Sequence, residues 1–311
     1  VTEATDISKL RYLLIGGNGF VGSHIKDMLS DRGASVRILD RYPERFRDAD
    51  RRVDYRIGDF SDPKAIKDAL TGIDTVIHLQ STTVPSTSEH SNVFDIESNL
   101  IPTVRLLEAM VDSGCNRIIY LSSGGAVYGN PMQMPIAEDA TLAPISSYGV
   151  IKSVIERYLH YFGRYGIRSL IVRPSNLYGI RQGNTGVLGL VNTLLEKTLR
   201  DEEVLIFGDG SAVKDYVHVS DLLDFLSKAI AMDATGVFNV GSGQGVSVGE
   251  VIALVNAVTG REMRLRHEDA RPYDVARIIL DITKAQTVLG WQPTVKLEDG
   301  IRQVWNYKQG R

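Results

Sequence analysis

The run LLIGGNGFVGSH, residues 13–24, joins an apolar strand to an amphipathic helix through Gly16, Gly17, Gly19 and Gly22. That junction leaves few folds open. Glycine permits a tight turn, close approach of a pyrophosphate and close packing of helix on strand. The first helical turn (Phe20, Val21, Gly22) offers free N–H groups at a positive dipole end. The pattern alone is weak, because any tight strand-to-helix turn uses glycine. Here it opens a strand–helix–strand unit whose second strand, SVRILD, ends on Asp40. An acid at that point binds both ribose hydroxyls and repels a 2′-phosphate. The unit therefore reads as a dinucleotide site that favours NAD over NADP, with the adjacent Arg41 weighing the other way. Asp59, in IGDF, is a candidate for the adenine amino group, with a solvated turn aspartate as the lesser alternative.

Strand and helix patterns alternate from Arg11 to Pro174, from RYLLI through DTVIHL, RIIYLSS and RSLIVRP. This rhythm predicts an α/β fold, a Rossmann-type doubly wound parallel sheet with helices on both faces. After Pro174 it breaks into loops and short strands. Residues 1–174 are expected to form the dinucleotide domain and 175–311 a smaller C-terminal α/β substrate domain, with segments near 213–242 returning to the first.

Composition narrows the function classes. The formal net charge of −3 gives no basic bias for nucleic acid. One cysteine, Cys115, excludes an internal disulfide framework and fits a reducing compartment. The N-terminus is polar and no apolar run reaches the length of a bilayer span, so no membrane insertion and a cytoplasmic location are expected. The six histidines show no H-E-x-x-H spacing, and no metal site is expected.

The chemistry gathers in two stretches. SSYGVIKSVIE puts Tyr148 and Lys152 four apart, hence on one helical face. A phenol with a pKa near about 10 is a poor base at neutral pH, but a nearby ammonium and a positive nicotinamide ring favour the phenolate. YLSSGGAVYG, residues 120–129, places two serines and two glycines where a strand ends. It is either a surface loop or the floor of a site.

In order along the chain, the glycine motif, Asp40, GDF, SSGGAVYG, Tyr148-x-x-x-Lys152 and RPSNLYG resemble the extended short-chain dehydrogenases/reductases. FGDGSAVKDYVHVSD and RPYDVARIILDITKAQTVLGWQP resemble the substrate half of NAD-dependent nucleotide-sugar epimerases and dehydratases. The likeness is strongest to UDP-sugar 4-epimerases of the UDP-glucose 4-epimerase type, including those of polysaccharide synthesis. It covers nearly the whole chain.

The resemblance implies an NAD cofactor, a UDP-sugar substrate and a homodimer built on the helices holding Asn99 and Tyr148. It makes Tyr148 the acid/base and Lys152 its ribose-binding, pKa-lowering partner, with Asn99 supporting the lysine. It sets Phe60 of GDF and Leu79 and Gln80 of HLQS beside the cofactor, although the family usually has HLAA. Asn176, Lys214 and Arg271 fall on diphosphate ligands, Lys214 standing where the family usually has arginine. Tyr273 lies in the same RPYD motif. Ile278 occupies a position where narrow-specificity relatives carry tyrosine, implying room for an N-acetyl group, though a core isoleucine reads equally well.

Counted back from VYG, the family's active-site Ser or Thr falls on Gly124, so a hydroxyl is expected to be missing unless Ser123 turns inward. Gly125 and Ala126 replace the acids of related dehydratases and decarboxylases, which leaves epimerisation as the expected reaction. A 4-ketoreductase and a non-catalytic NAD-binding protein remain as alternatives.

Overall fold

The computed structural model describes residues 5–83, 91–183, 189–271 and 274–310. Strand β1 (Arg11–Ile15) carries Tyr12, Leu13, Leu14 and Ile15, all fully buried. Such an unbroken apolar run, without polar alternation, is what a strand covered on both faces requires. The strands β2 (Ser35–Asp40), β3 (Val53–Ile57), β4 (Thr75–His78), β5 (Arg117–Leu121) and β6 (Arg168–Pro174) follow. Every pairing among these six is parallel. The chain then runs through β7 (Asn176–Tyr178), β8 (Val204–Phe207), β9 (Val213–Lys214) and β10 (Tyr216–His218) before β11 (Gly236–Val240) returns to the sheet. The seven-stranded order is β11-β6-β5-β4-β1-β2-β3. Strand order reverses between β1 and β4, and in open α/β sheets ligands bind at the carboxyl ends beside such a reversal. The Rossmann-type parallel sheet expected from the alternation is the fold observed.

Helices α1 (Phe20–Asp31) and α2 (Pro63–Leu70) connect the first strands. The sequence predicts one long helix before β5. The structure divides that run, IESNLIPTVRLLEAMVDSG, into a π-helical turn (Ile96–Leu100) and α4 (Ile101–Ser113), with a short α3 (Asn92–Asp95) ahead of it. The wider turn falls on Asn99, and Pro102 follows it where a missing N–H costs least. Helix α5 (Ser147–Phe162) precedes β6.

Two compact units result. The first comprises Val1–Ser123, Ser147–Arg173 and Leu226–Phe238, the second Gly124–Ser146, Pro174–Phe225 and Asn239–Arg311. The stretch 124–146, which the sequence suggested for the first domain, groups with the second unit. There Tyr128 Oη donates to Asn239 Oδ1 at 2.7 Å, and Asn239 Nδ2 donates to the Ile136 carbonyl at 2.8 Å. The second unit has its own core, around Leu194, Val251, Val255 and Trp305. Among the described residues, no helix is long and apolar enough to cross a membrane.

Candidate active site

In the first unit, Gly16 takes φ +80°, and its N–H donates to the Leu39 carbonyl at 2.9 Å. A Cβ on Gly22 would lie 2.6 Å from Gly17 Cα, and one on Gly17 would lie 2.8 Å from the Ile38 side chain. Glycine is required here by packing as well as by the turn. Gly19 caps α1 without a side-chain hydrogen bond, so the first-turn N–H groups of Phe20, Val21 and Gly22 are not taken by a capping side chain. Asp40 is buried, its Oδ2 accepting the Asn18 N–H at 2.9 Å and its Oδ1 the Tyr42 N–H at 3.0 Å. The carboxylate is thus fixed beside the glycine turn. Arg41, which weighed against NAD in the sequence, is paired with Asp59 at 2.8 Å. These features fit a dinucleotide, with the pyrophosphate at the start of α1 and the ribose at Asp40.

Two further residues expected beside the cofactor sit at the carboxyl edge of the sheet, after β3 and β4. The Phe60 side chain is buried in the core, its ring 5.1 Å from that of His78. The Leu79 N–H is taken by the Ile15 carbonyl at 3.0 Å. Core packing accounts for the Phe60 side chain. Gln80, by contrast, lines a narrow cleft together with Ser81, Asp95, Asn99, Tyr120, Tyr148 and Lys152.

Tyr148, which lines that cleft, shares a side-chain hydrogen bond with Ser123. The hydroxyl that counting from VYG assigned to Gly124 is supplied one residue earlier. Gly124 itself donates its N–H to the Pro174 carbonyl at 2.8 Å. Lys152 Nζ donates to the Leu121 carbonyl at 2.8 Å and lies 5.7 Å from the Tyr148 ring centroid. Desolvation lowers the Lys152 pKa to about 8, against the opposing fields of Glu156 and Asp95. Desolvation likewise pushes the Tyr148 phenol up to about 12; the Ser123 hydrogen bond lowers it and Asp95 raises it further. The direction is opposite to that expected from the lysine. Loss of solvent outweighs an ammonium that is buried itself and bonded elsewhere, so the chain alone does not make the phenolate.

Asn99 sits in the π-turn, where its Oδ1 accepts the Thr82 N–H at 2.9 Å and its Nδ2 donates to Asp95 Oδ1 at 2.9 Å. Its carbonyl accepts the Thr103 hydroxyl at 2.6 Å. Asp95, fully buried, also accepts from the Thr83 and Ser147 hydroxyls. Sequence reasoning missed this carboxylate. One helical turn before Asn99, its spacing was the available signal. Also missed was Glu156, one turn beyond Lys152 on the face of α5 that carries Tyr148.

In the second unit, the Arg271 guanidinium carbon lies over the Phe207 ring, 3.9 Å from its centroid, and its Nε donates to Asp274 at 3.1 Å. Phe207 had no sequence signal beyond its place in FGDG. Lys214 donates to the Val275 carbonyl, and burial lowers its pKa while Asp274 opposes. Asn176 donates its N–H and Nδ2 to the Asp215 carbonyl, at 3.0 and 2.9 Å. Ile278 is fully buried in a cluster with Val127, Tyr128, Ile136, Val275 and Leu280. Its packing fits the core reading of this position. Tyr273 lies outside the described residues.

A Rossmann-type unit with a glycine phosphate turn, a ribose acid and a Tyr–Lys pair defines an NAD-dependent oxidoreductase-type site. The model of the NAD dependent epimerase/dehydratase family matches residues 12–241, and the chain belongs to that family. Its cofactor is NAD. The UDP-glucose 4-epimerase of Mycolicibacterium smegmatis is 34% identical over 304 residues, covering 94% of this chain and 96% of that protein. A dTDP-4-dehydro-6-deoxyglucose reductase of Escherichia coli is 30% identical over 307 residues, with 95% and 96% covered. The Thermotoga maritima UDP-glucose 4-epimerase, solved with UDP-glucose, superposes with a TM-score of 0.91 at 34% identity. That match covers 97% of this chain and 99% of the other.

Proposed function

We propose that the protein inverts C4 of a UDP-hexose, in glucose/galactose, N-acetyl or uronic acid form, through a 4-keto sugar. The observation that carries this reading is the Ser123–Tyr148 hydrogen bond beside Lys152, in a unit built for NAD. Tyr148 takes the proton of the 4-hydroxyl and later returns it. Ser123 holds the phenol and the sugar oxygen in register. Lys152, with its pKa of about 8, stays mostly charged at neutral pH and favours the phenolate. Bound at the glycine turn and Asp40, NAD would supply a reversible hydride acceptor for C4 and would not be consumed over the cycle. Asn176, Lys214 and Arg271 hold the diphosphate while the sugar turns. Lysine at 214 neutralises phosphate without arginine's planar fork. Asp40 sets the preference for NAD by opposing a 2′-phosphate.

The test is a panel of UDP-galactose, UDP-N-acetylgalactosamine and UDP-galacturonic acid, incubated with purified protein and no added cofactor. One sugar should be interconverted with its C4 epimer, and denatured protein should release NAD. The likeness to the E. coli reductase favours a second reading, 4-keto reduction. That reaction would instead consume one reduced cofactor per turnover.

The protein is also proposed to pair with a second copy. Phe94 on α3, Ile101 on α4 and Val150, Tyr158 and Tyr161 on one side of α5 leave large apolar side chains exposed, an arrangement suited to helix packing between protomers. Light scattering at micromolar concentration should give twice the monomer mass; a monomer would overturn the pairing.

A further inference from the structure

Helix α5 presents Tyr148, Lys152 and Glu156 at successive turns of one face, and each meets one of three consecutive residues where β5 ends. Ser123 bonds to Tyr148, the Leu121 carbonyl accepts from Lys152, and Ser122 Oγ donates to Glu156 Oε1. The third rung is anchored from the neighbouring strand. Arg173, on β6, donates through Nε to Glu156 Oε1 at 3.1 Å and through Nη2 to Oε2 at 2.6 Å. Both side chains are only 5% exposed. Neither is among the residues that line the cleft.

We propose that Glu156, paired with Arg173, is a positioning residue for the Tyr148–Lys152 pair: it fixes the end of β5 against α5 and sets the charge behind the lysine. This inference rests on the site reading above. The geometry has two consequences. Ser122 and Ser123 are adjacent, so holding Ser122 on Glu156 fixes the backbone from which Ser123 reaches Tyr148. Glu156 also places a carboxylate one turn behind the ammonium. The other charged or titratable groups facing Lys152 are Asp95 from α3, His78 from β4, Tyr120 from β5 and Tyr148 from α5 itself. Burial drives the His78 pKa to about 3, with Lys152 opposing its charge as well, so the imidazole is neutral and offers the lysine no compensation. Glu156 and Asp95 are the two groups that raise the lysine's pKa.

Glu156→Gln keeps the shape and the acceptor for Ser122 but removes the charge. We expect kcat to fall by about tenfold to a hundredfold, the scale of a small misplacement of reacting groups, with KM little changed. Glu156 raises the pKa of Lys152, so its loss lets the ammonium deprotonate at lower pH, and the alkaline limb of kcat should move down in pH. The single variant leaves Arg173 buried without its partner, which can prevent folding. The double variant Glu156→Gln/Arg173→Met removes both charges; it should recover thermal stability yet retain the low kcat and the displaced limb. Parental kcat and pH profile in either folded variant would overturn the proposal. Tyr148→Phe run in parallel separates the failures, since parental turnover in that variant would discard the site reading itself.

Discussion

Tyr148→Phe should lower turnover at least about a thousandfold, within the 10²–10⁴ range for removal of a positioned acid/base, and leave UDP binding within about threefold of the parent. The phenol is the group hydrogen-bonded to Ser123, whereas the diphosphate is assigned to Asn176, Lys214 and Arg271. Phenylalanine keeps the ring and deletes the proton acceptor. Because burial holds the phenol near 12 without cofactor, its ionisation should fall toward neutrality when the positive ring of NAD is bound. A spectroscopic titration of tyrosinate in parent and variant, with and without NAD, should show one low-pH transition that Tyr148→Phe removes. Turnover within tenfold of the parent would dismiss Tyr148 as the base.

The parts of this site legible in the sequence were those whose geometry is local. Tyr148 and Lys152 share a helix face by spacing alone, and Asp40 follows the glycine turn by the length of one strand–helix–strand unit. The parts that were not legible depend on partners distant in sequence. Glu156 is paired with Arg173 on the next strand, 17 residues away. No periodicity announces that contact. Which serine of SSGG faces Tyr148 depends on where β5 ends and on what Ser122 bonds to; counting from VYG crossed that boundary and arrived at Gly124. Ile278 stayed open for a related reason, since a motif position does not disclose that the side chain packs in one cluster with Val127 and Tyr128. The raised pKa of Tyr148 follows the same logic. Proximity of a lysine was visible in the sequence, but the desolvation that outweighs it came only with tertiary burial.

Gly22→Ala should release the cofactor. Alanine is favoured over glycine inside a helix by about 1 kcal/mol, so propensity alone predicts a more stable α1. Packing predicts the reverse. The added Cβ would stand 2.6 Å from both Gly17 Cα and the Gly17 carbonyl oxygen and 2.7 Å from the Gly16 carbonyl oxygen. All three are backbone atoms, so no side chain can swing away to relieve the contact, and the start of α1 must move off the glycine turn. Overpacking of this kind costs about 1–3 kcal/mol, and at 1.4 kcal/mol per tenfold this predicts NAD binding weaker by roughly tenfold to a hundredfold. The same displacement should lower the melting temperature by several degrees. Gly163→Ala is the control: its Cβ would meet nothing within 4 Å and its φ is not left-handed. Calorimetric titration of stripped protein with NAD decides the matter. Parental affinity in Gly22→Ala would mean that the turn yields to a methyl group, and that helix–strand contact at Gly22 does not govern where the cofactor's phosphates sit.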